Sequence, residues 1–230
     1  MGGQLGSLYR QLAFHPKPVP DKIRVDGRTA LVTGAGTIGS LGHEAAKEMA
    51  AHGLSPRPRR PLFAVRGTIV TSEVHFWTKF EEQKAPNILD RMDDPDSFKQ
   101  NSMDRYNASK LLKLLWLREL NARTDGSVII NGVNPGLCAS SLHRSHSGVA
   151  VFNKLFAWSS QEGGHALADA TMQHTERGAY ISEQVIKQPS PFDLSPDGYS
   201  TQKKLWRETL EILQSVVPGM NLKERLAGDK

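Results

Sequence analysis

Cysteine is almost missing from this chain of 230 residues: Cys138 stands alone. No disulfide can form within the chain, and a reducing compartment is the expectation. Long apolar runs are missing too. No stretch reaches the roughly 20 residues that a membrane-spanning helix needs, and no signal-peptide core is found. Gly6 stands where a myristoylation motif beginning at Met1-Gly2 wants Ser or Thr. These absences point to the cytoplasm and to no membrane span. No G-x-S-x-G elbow occurs, which removes a serine-hydrolase reading. His143-x-x-His146 offers two ligand-type side chains but no third at useful spacing, so no metal site is expected. Internal repeats and low-complexity segments are also missing.

What is present has a globular balance, with 38% hydrophobic and 23% charged residues. The formal net charge of +5 is spread along the chain. It suits an anionic small molecule such as a phosphorylated cofactor better than a nucleic acid, which would call for a basic patch. Residues 1–27, punctuated by Pro16, Pro18, Pro20 and Gly27, read as an amino-terminal leader; residues 28–230 read as one domain. Arg28-Thr-Ala-Leu-Val-Thr33 reads as a short buried strand. It runs into a glycine-rich turn with Gly34, Gly36, Gly39 and Gly42, followed by the helix-favouring His43–Ala51. Strand, glycine turn and helix form the front half of a nucleotide-binding βαβ unit, where bare amides and a helix N-terminus offer a phosphate site.

Further on, the basic Ser55-Pro-Arg-Pro-Arg-Arg-Pro61 reads as a solvated loop. Residues 62–72 read as a continuous apolar strand, and residues 81–102 as a long polar loop. A Leu-rich helix carries Tyr106, Ser127–Val133 is another buried strand, and Asn134-Pro-Gly136 is its terminal turn. Val149–Trp158 and Gln161–Met172 read as helices, Gly178–Ser182 as a last strand and Thr201–Val216 as an amphipathic helix. Alternating strands and helices predict an α/β fold, a Rossmann-like, mainly parallel sheet with flanking helices. Ligands of such sheets sit at the carboxyl ends of the strands, where Gly34, Ser72 and Pro135 all fall.

Chemistry enters with Tyr106-Asn-Ala-Ser-Lys110. A Tyr and a Lys at i and i+4 share one helix face. An ammonium beside a phenol favours the phenolate and is expected to lower the Tyr pKa. Such a Tyr can pass a proton to or from a substrate oxygen, while a nearby Ser hydroxyl holds that oxygen as charge develops. Alcohol–carbonyl interconversion has these needs. Cys138 reads as a packed small residue, Glu73 as solvated, His43 and His52 as ordinary helix residues, and Phe76, Trp77 and Phe80 as pocket-lining or core aromatics. Asn107-Ala-Ser109 is a formal glycosylation sequon with no use in the cytoplasm.

Four ordered segments carry a family resemblance. They are Thr33-Gly34 with its following glycines, Ile69-Val-Thr-Ser72-Glu, Tyr106-Asn-Ala-Ser-Lys110 and Asn134-Pro-Gly-Leu-Cys-Ala-Ser140. In order and context they resemble the short-chain dehydrogenase/reductases, in particular the retinol-dehydrogenase-like group and its fungal relatives. The resemblance spans residues 28 to about 215. It implies that Tyr106 is the catalytic acid/base, that Lys110 tunes it and holds the nicotinamide ribose, and that Ser72 holds the substrate oxygen. It also implies cofactor contacts from Gly34, Gly36, Gly39, Gly42, Pro135, Gly136 and Ser140, and contact of Arg66 with the 2′-phosphate of NADP. NADP is thus the expected cofactor, with NAD as the alternative. The implied partner is a small alcohol or carbonyl compound, in a secondary-metabolite setting, and the Tyr106 helix is one that relatives use for homodimerisation.

The chain departs from that family twice. Two extra residues lengthen the turn from Gly34 to Gly42, so that Ile38 and Ser40 stand where glycines belong. A whole block is also missing, because a segment like the end of the family's second strand, Leu62–Arg66, is fused to one like its fifth, Gly67–Ser72. The family's third and fourth strands and the helix with the proton-relay Asn have no counterpart. Parallel neighbours need a crossover of roughly a dozen residues, so the fused segments must form one strand. The adenine side of the groove is expected to be thin. Two functions follow: an NAD(P)-dependent oxidoreductase with the triad Ser72, Tyr106 and Lys110, or an inactive, truncated relic that at most binds partners.

Overall fold

The computed structural model describes residues 3–55, 65–96, 102–124, 126, 128–139 and 156–217. Its six helices among the described residues are α1 (Gln4–Ala13), α2 (Leu41–Ala51), α3 (Ile88–Asp93), α4 (Ser102–Arg123), α5 (Ser160–Met172) and α6 (Pro196–Val216). The strands are β1 (Val65–Val70), β2 (Val128–Asn134), β3 (Tyr180–Ser182) and β4 (Val185–Lys187).

Helix starts follow from side chains that satisfy orphan amides. Ser40 caps α2 through the His43 N–H, and Ser195 caps α6 through the Gly198 N–H with Pro196 in its first turn. Ser159 and Glu162 close a reciprocal capping box on α5.

The sheet has the order β1–β2–β3–β4. β1, β2 and β3 run parallel, in a register that sets Val70 beside Val133 and Val133 beside Ile181. β4 returns antiparallel through Glu183 and Gln184, both at positive φ (55° and 57°). That geometry matches the right-handed twist of a hairpin. Helices cover both faces. Ala45 and Met49 of α2, Leu167 and Ala168 of α5, Val133 and Ile181 form one core. Leu111 and Leu115 of α4, Leu205 of α6, Phe80 and Ile88 form the other. This is the expected mainly parallel α/β architecture in truncated form.

Several elements differ from their sequence reading. Residues 28–33 form no strand; only Thr29 pairs, in a lone parallel bridge to Ser55. Ala30 and Val32 still pack on the α2–α5 core, but Leu31 is 93% exposed. The missing block removes the strand that would pair its other side, and the bridge to Ser55 is the pairing that remains among the described residues. The strand expected over 62–72 is Val65–Val70, and residues 62–64 lie outside the described residues. The 81–102 loop contains a 3₁₀ turn, Glu81–Lys84, and α3. Glu208 of α6 accepts the Ile88 N–H at 3.0 Å and the Leu89 N–H at 3.1 Å, which pins the start of α3. The leader contains α1, which packs on the sheet's carboxyl edge. The hairpin strand β4 had no Asn-Gly or Gly-Gly turn to announce it. Of the helix expected over 149–158, residues 149–155 lie outside the described residues; Trp158 forms a lone bridge with Cys138.

α2 and α5 meet at two glycines. A Cβ on Gly164 would sit 2.6 Å from Glu44 Cβ and 3.0 Å from the Ala45 nitrogen. Backbone cannot move aside as a side-chain tip can. Gly164→Ala should therefore lower stability by about 1–2 kcal/mol, overpacking outweighing the helix-propensity gain of up to about 1 kcal/mol. Urea unfolding measures this; a variant as stable as its parent would mean that the two helices are not in backbone contact.

Candidate active site

The candidate residues stand at the carboxyl ends of β1 and β2 and in the first turns of α4. β1 continues into Thr71, whose N–H donates to the Val133 carbonyl at 2.8 Å. The Thr71 hydroxyl donates to the Lys110 carbonyl at 3.2 Å. This bond ties the segment that presents Ser72 to the turn of α4 that carries Tyr106 and Lys110. Lys113, three residues on, reaches the Val70 carbonyl at 3.4 Å. Ser72 is extended (φ −164°) and caps a 3₁₀ turn, Glu73–Phe76.

On α4 the Lys110 ammonium lies 5.0 Å from the centroid of the Tyr106 ring, within cation–π range. Burial lowers the Lys110 pKa to about 8, and the neighbouring Lys113 charge adds to the shift. Burial pushes the Tyr106 phenol up. This is opposite to the lowering expected from the sequence, because the cost of desolvating a phenolate exceeds the attraction of an ammonium above the ring. Asn107 is buried, so the Asn107-Ala-Ser109 sequon is not displayed.

At the end of β2, the Asn134 side chain accepts the Gly136 N–H at 3.2 Å and donates to Ser182 at 3.1 Å. Gly136 has φ +75°, and a Cβ there would run into the Trp158 ring. The turn therefore needs glycine on two counts. Cys138 donates to the Pro135 carbonyl at 3.1 Å. Burial and the nearby Glu162 push its thiol up to about 12, so it is no nucleophile at neutral pH.

The glycine turn absorbs its two extra residues in a local loop. The Ser40 N–H donates to Thr37, and the Ser40 hydroxyl donates to the Gly34 carbonyl at 2.9 Å. Gly34 and Gly39 have φ +71° and +76°, and no heavy atom lies within 4 Å of a Cβ built on Gly34, Gly36 or Gly39. The backbone there is open to a ligand. Gly42 instead allows close packing: its Cβ would meet the Gly34 and Thr33 carbonyls at 3.0 Å. An open, glycine-rich backbone leading into a capped helix suits the phosphates of a dinucleotide. Leu31 before the turn and Ile38 within it are exposed at 93% and 87%.

Arg66 is not brought to this group. It stands at the amino-terminal end of β1 and donates to the Met172 and Thr171 carbonyls at 3.0 and 3.4 Å, capping α5. Its expected place at a 2′-phosphate is corrected: the guanidinium serves a helix C-terminus at the opposite end of the strand from Ser72. Ser140, His143 and His146 lie outside the described residues. Glu73 is not solvated; it accepts from the Ser7 hydroxyl at 2.5 Å and pairs with Arg10. Phe80 joins the core, while Phe76 packs against His75 and Tyr180.

The sequence reading passed over His75. Its Nδ1–H donates to the Ser72 carbonyl at 2.7 Å, and its Nε2 accepts the Ser190 N–H at 3.2 Å. Both ring nitrogens are thus committed to backbone, which holds the imidazole neutral in one tautomer. Burial lowers its pKa to about 4. The available signal was its position three residues after Ser72, one short turn away. Asp193 lies 4.0 Å from His75 Nε2 and accepts from the Ser190 hydroxyl at 2.6 Å. Burial raises its pKa to about 6.

The two shifts oppose each other in acid. A neutral buried His75 contributes stability that is complete above pH 6.5 and is lost as pH falls toward 4. Asp193 is strained as a carboxylate above pH 6 and gains on protonation as pH falls toward 3.8. Asp193→Asn removes the compensating gain. It should lose on the order of 3 kcal/mol more than its parent between pH 6.5 and 4. Urea midpoints across that window read the difference; parallel curves would contradict the raised Asp193 pKa.

No protein-family model matches the chain. Curated relatives do. A short chain dehydrogenase of Alternaria solani, sol3, is 38% identical over 288 aligned residues, covering 81% of this chain and all of the relative. That alignment is longer than this chain, so it crosses a gap where the relative holds residues this chain lacks. A short chain dehydrogenase/reductase of Cryptosporiopsis, dmxR8, is 34% identical over 70% of this chain and 51% of its own length. A short-chain dehydrogenase of Penicillium roqueforti, anuD, is 30% identical over 67% of this chain and 44% of its own. Against these last two, the matched part spans about half of the relative.

Proposed function

The chain belongs to the short-chain dehydrogenase/reductase family, and from that premise we propose that it interconverts a secondary alcohol and a ketone, or a primary alcohol and an aldehyde, with a nicotinamide cofactor. The observation that supports this most is the Lys110 ammonium over the Tyr106 ring, on a helix turn bonded to the strand end that presents Ser72. Tyr106 Oη transfers the proton to or from the substrate oxygen. Ser72 Oγ donates to that oxygen as charge develops on it. Lys110, half-desolvated, places positive charge where the phenolate forms and lowers its cost. The cofactor supplies the hydride when bound. The open backbone of Gly34, Gly36 and Gly39, the start of α2 at Gly42, Lys110 and the Pro135–Gly136 turn would hold it, with Ser140 as a further expected contact. NADP remains the proposed cofactor on net charge alone, since Arg66 is engaged elsewhere; NAD is the alternative. A small substrate in a secondary-metabolite pathway and a homodimer through α4 follow from the family resemblance, and a cytoplasmic setting from the lone cysteine and the lack of targeting signals in the sequence.

One observation favours a second reading. Residues 29–33, which should anchor the glycine turn rigidly, hold a single bridge and expose Leu31. A turn on so soft a base suits an inactive relic.

Fluorescence titration with NADPH, then NADH, separates the two. A dissociation constant in the micromolar range, abolished by Gly34→Trp, is the expected result. Tyr106→Phe should then leave binding within a few-fold and cut the turnover of carbonyl substrates by about 100-fold or more. A folded protein that binds neither cofactor is the relic.

A further inference from the structure

The first helix lies across the carboxyl edge of the sheet, and its inner face carries polar side chains. Arg10 pairs with Glu73, which follows β1, and its Nε lies 3.2 Å from Glu183, which follows β3. Ser7 also donates to Glu73. Between these sits Gln11, buried at 9% exposure. Its Oε1 accepts the Leu137 N–H at 3.0 Å, and its Nε2 donates to the Leu137 carbonyl at 2.9 Å and the Phe156 carbonyl at 3.1 Å. The Gln11 carbonyl accepts the Trp158 indole N–H at 2.8 Å. The Gln11 side chain thus pairs with Leu137 as a neighbouring strand residue would, while its backbone carbonyl holds the indole against which Gly136 packs.

We infer that α1 is a positioning element of the cofactor site and that Gln11 is its working residue, fixing the Pro135–Gly136 turn and the Trp158 ring behind it. This rests on the nicotinamide reading of that turn. The physical case is one of satisfaction. The Leu137 carbonyl also accepts the Trp158 N–H at 2.9 Å, but the Leu137 N–H, beyond the end of β2, has Gln11 Oε1 as its partner, and an amide shielded from water and left unpaired is costly. Gln is the side chain suited to the task, since it offers an acceptor and two donors at the end of a reach that Asn lacks. The contact joins elements 126 residues apart, so the turn's position is set by a segment remote in sequence. α1 therefore acts on the site through Gly136, and the leader is part of the working domain.

Two variants test this by hydrogen–deuterium exchange and NADPH titration. Gln11→Leu keeps bulk and removes all three side-chain bonds. Exchange at residues 134–139 should rise at least tenfold while α4 keeps its protection, and the NADPH dissociation constant should rise at least tenfold. Gln11→Glu turns a carboxylate toward two carbonyls at pH 8. Protonation restores a donor, so its exchange and affinity, each compared with the parent at the same pH, should return toward parental values by pH 5.5. A merely structural packing role would produce no such reversal. A Gln11→Leu turn that exchanges as in the parent, or a Gln11→Glu protein indifferent to pH, overturns the inference. If the parent binds no NADPH while the exchange pattern is as stated, the cofactor reading falls and the positioning role stands. If all variants bind alike with unchanged exchange, the reverse holds. Should Gln11→Leu fail to fold, the two pH values for Gln11→Glu decide alone.

Discussion

A parallel strand reaches its parallel neighbour only through a crossover of about a dozen residues. Between Arg66 and Gly67 there are none, and much of the molecule follows from that constraint. The segment must be one strand, so β1 takes a single place in the sheet, beside β2. The ordered ladder then begins at β1. Residues 28–33 are left outside it with their inner face docked and Leu31 in water. β1, β2 and the start of α4 meet at one carboxyl edge, while residues 28–33 retain a single bridge to Ser55.

Where the sheet does end cleanly, its carboxyl edge is held by side chains that substitute for missing backbone partners. Thr71 bonds the Lys110 carbonyl, His75 links Ser72 to Ser190, Asn134 closes the Gly136 turn, and Gln11 pairs with Leu137. His75, Asn134 and Gln11 each take up a main-chain group that has run past the ladder, and Thr71 ties the strand end to α4. A loop assembled this way is rigid because alternatives would strand buried polar atoms. The His75 arrangement carries an extra condition: it works only with a neutral ring, and the raised pKa of Asp193 nearby fits a pocket that disfavours charge of either sign.

Much of this was legible in the sequence, and the parts that were not share a cause. Tyr106 and Lys110 declare themselves because their spacing is local, and the strand near Val65–Val70 follows from chain continuity. Gly42 and Gly136 are explained by close approaches that their turn motifs imply. Arg66 was misplaced because a strand end says nothing about which helix terminus lies beside it. α1 was read as a leader because its value lies in pairings such as Gln11 with Leu137, which no local pattern encodes. The β4 hairpin was missed because Glu183 and Gln184 adopt positive φ without the residues that usually signal it.

The electrostatics of the Tyr106 turn bear on what such a site requires. Lys110 and Lys113 lie one turn apart on α4; burial lowers the Lys110 pKa, and the Lys113 charge adds to the shift. The phenol is shifted the other way by the same burial. The turn thus works against charge on both groups, although a Lys110 pKa of about 8 keeps the ammonium the major form at pH 7. A hydroxyl or anion that hydrogen-bonds the Lys110 ammonium would raise its pKa, and the retained charge would in turn lower the cost of a phenolate at Tyr106. On this logic ligand binding and readiness for proton transfer are coupled through one ammonium. The loss of the adenine half need not abolish the chemistry, provided that enough of the groove remains to bring a polar group to Lys110.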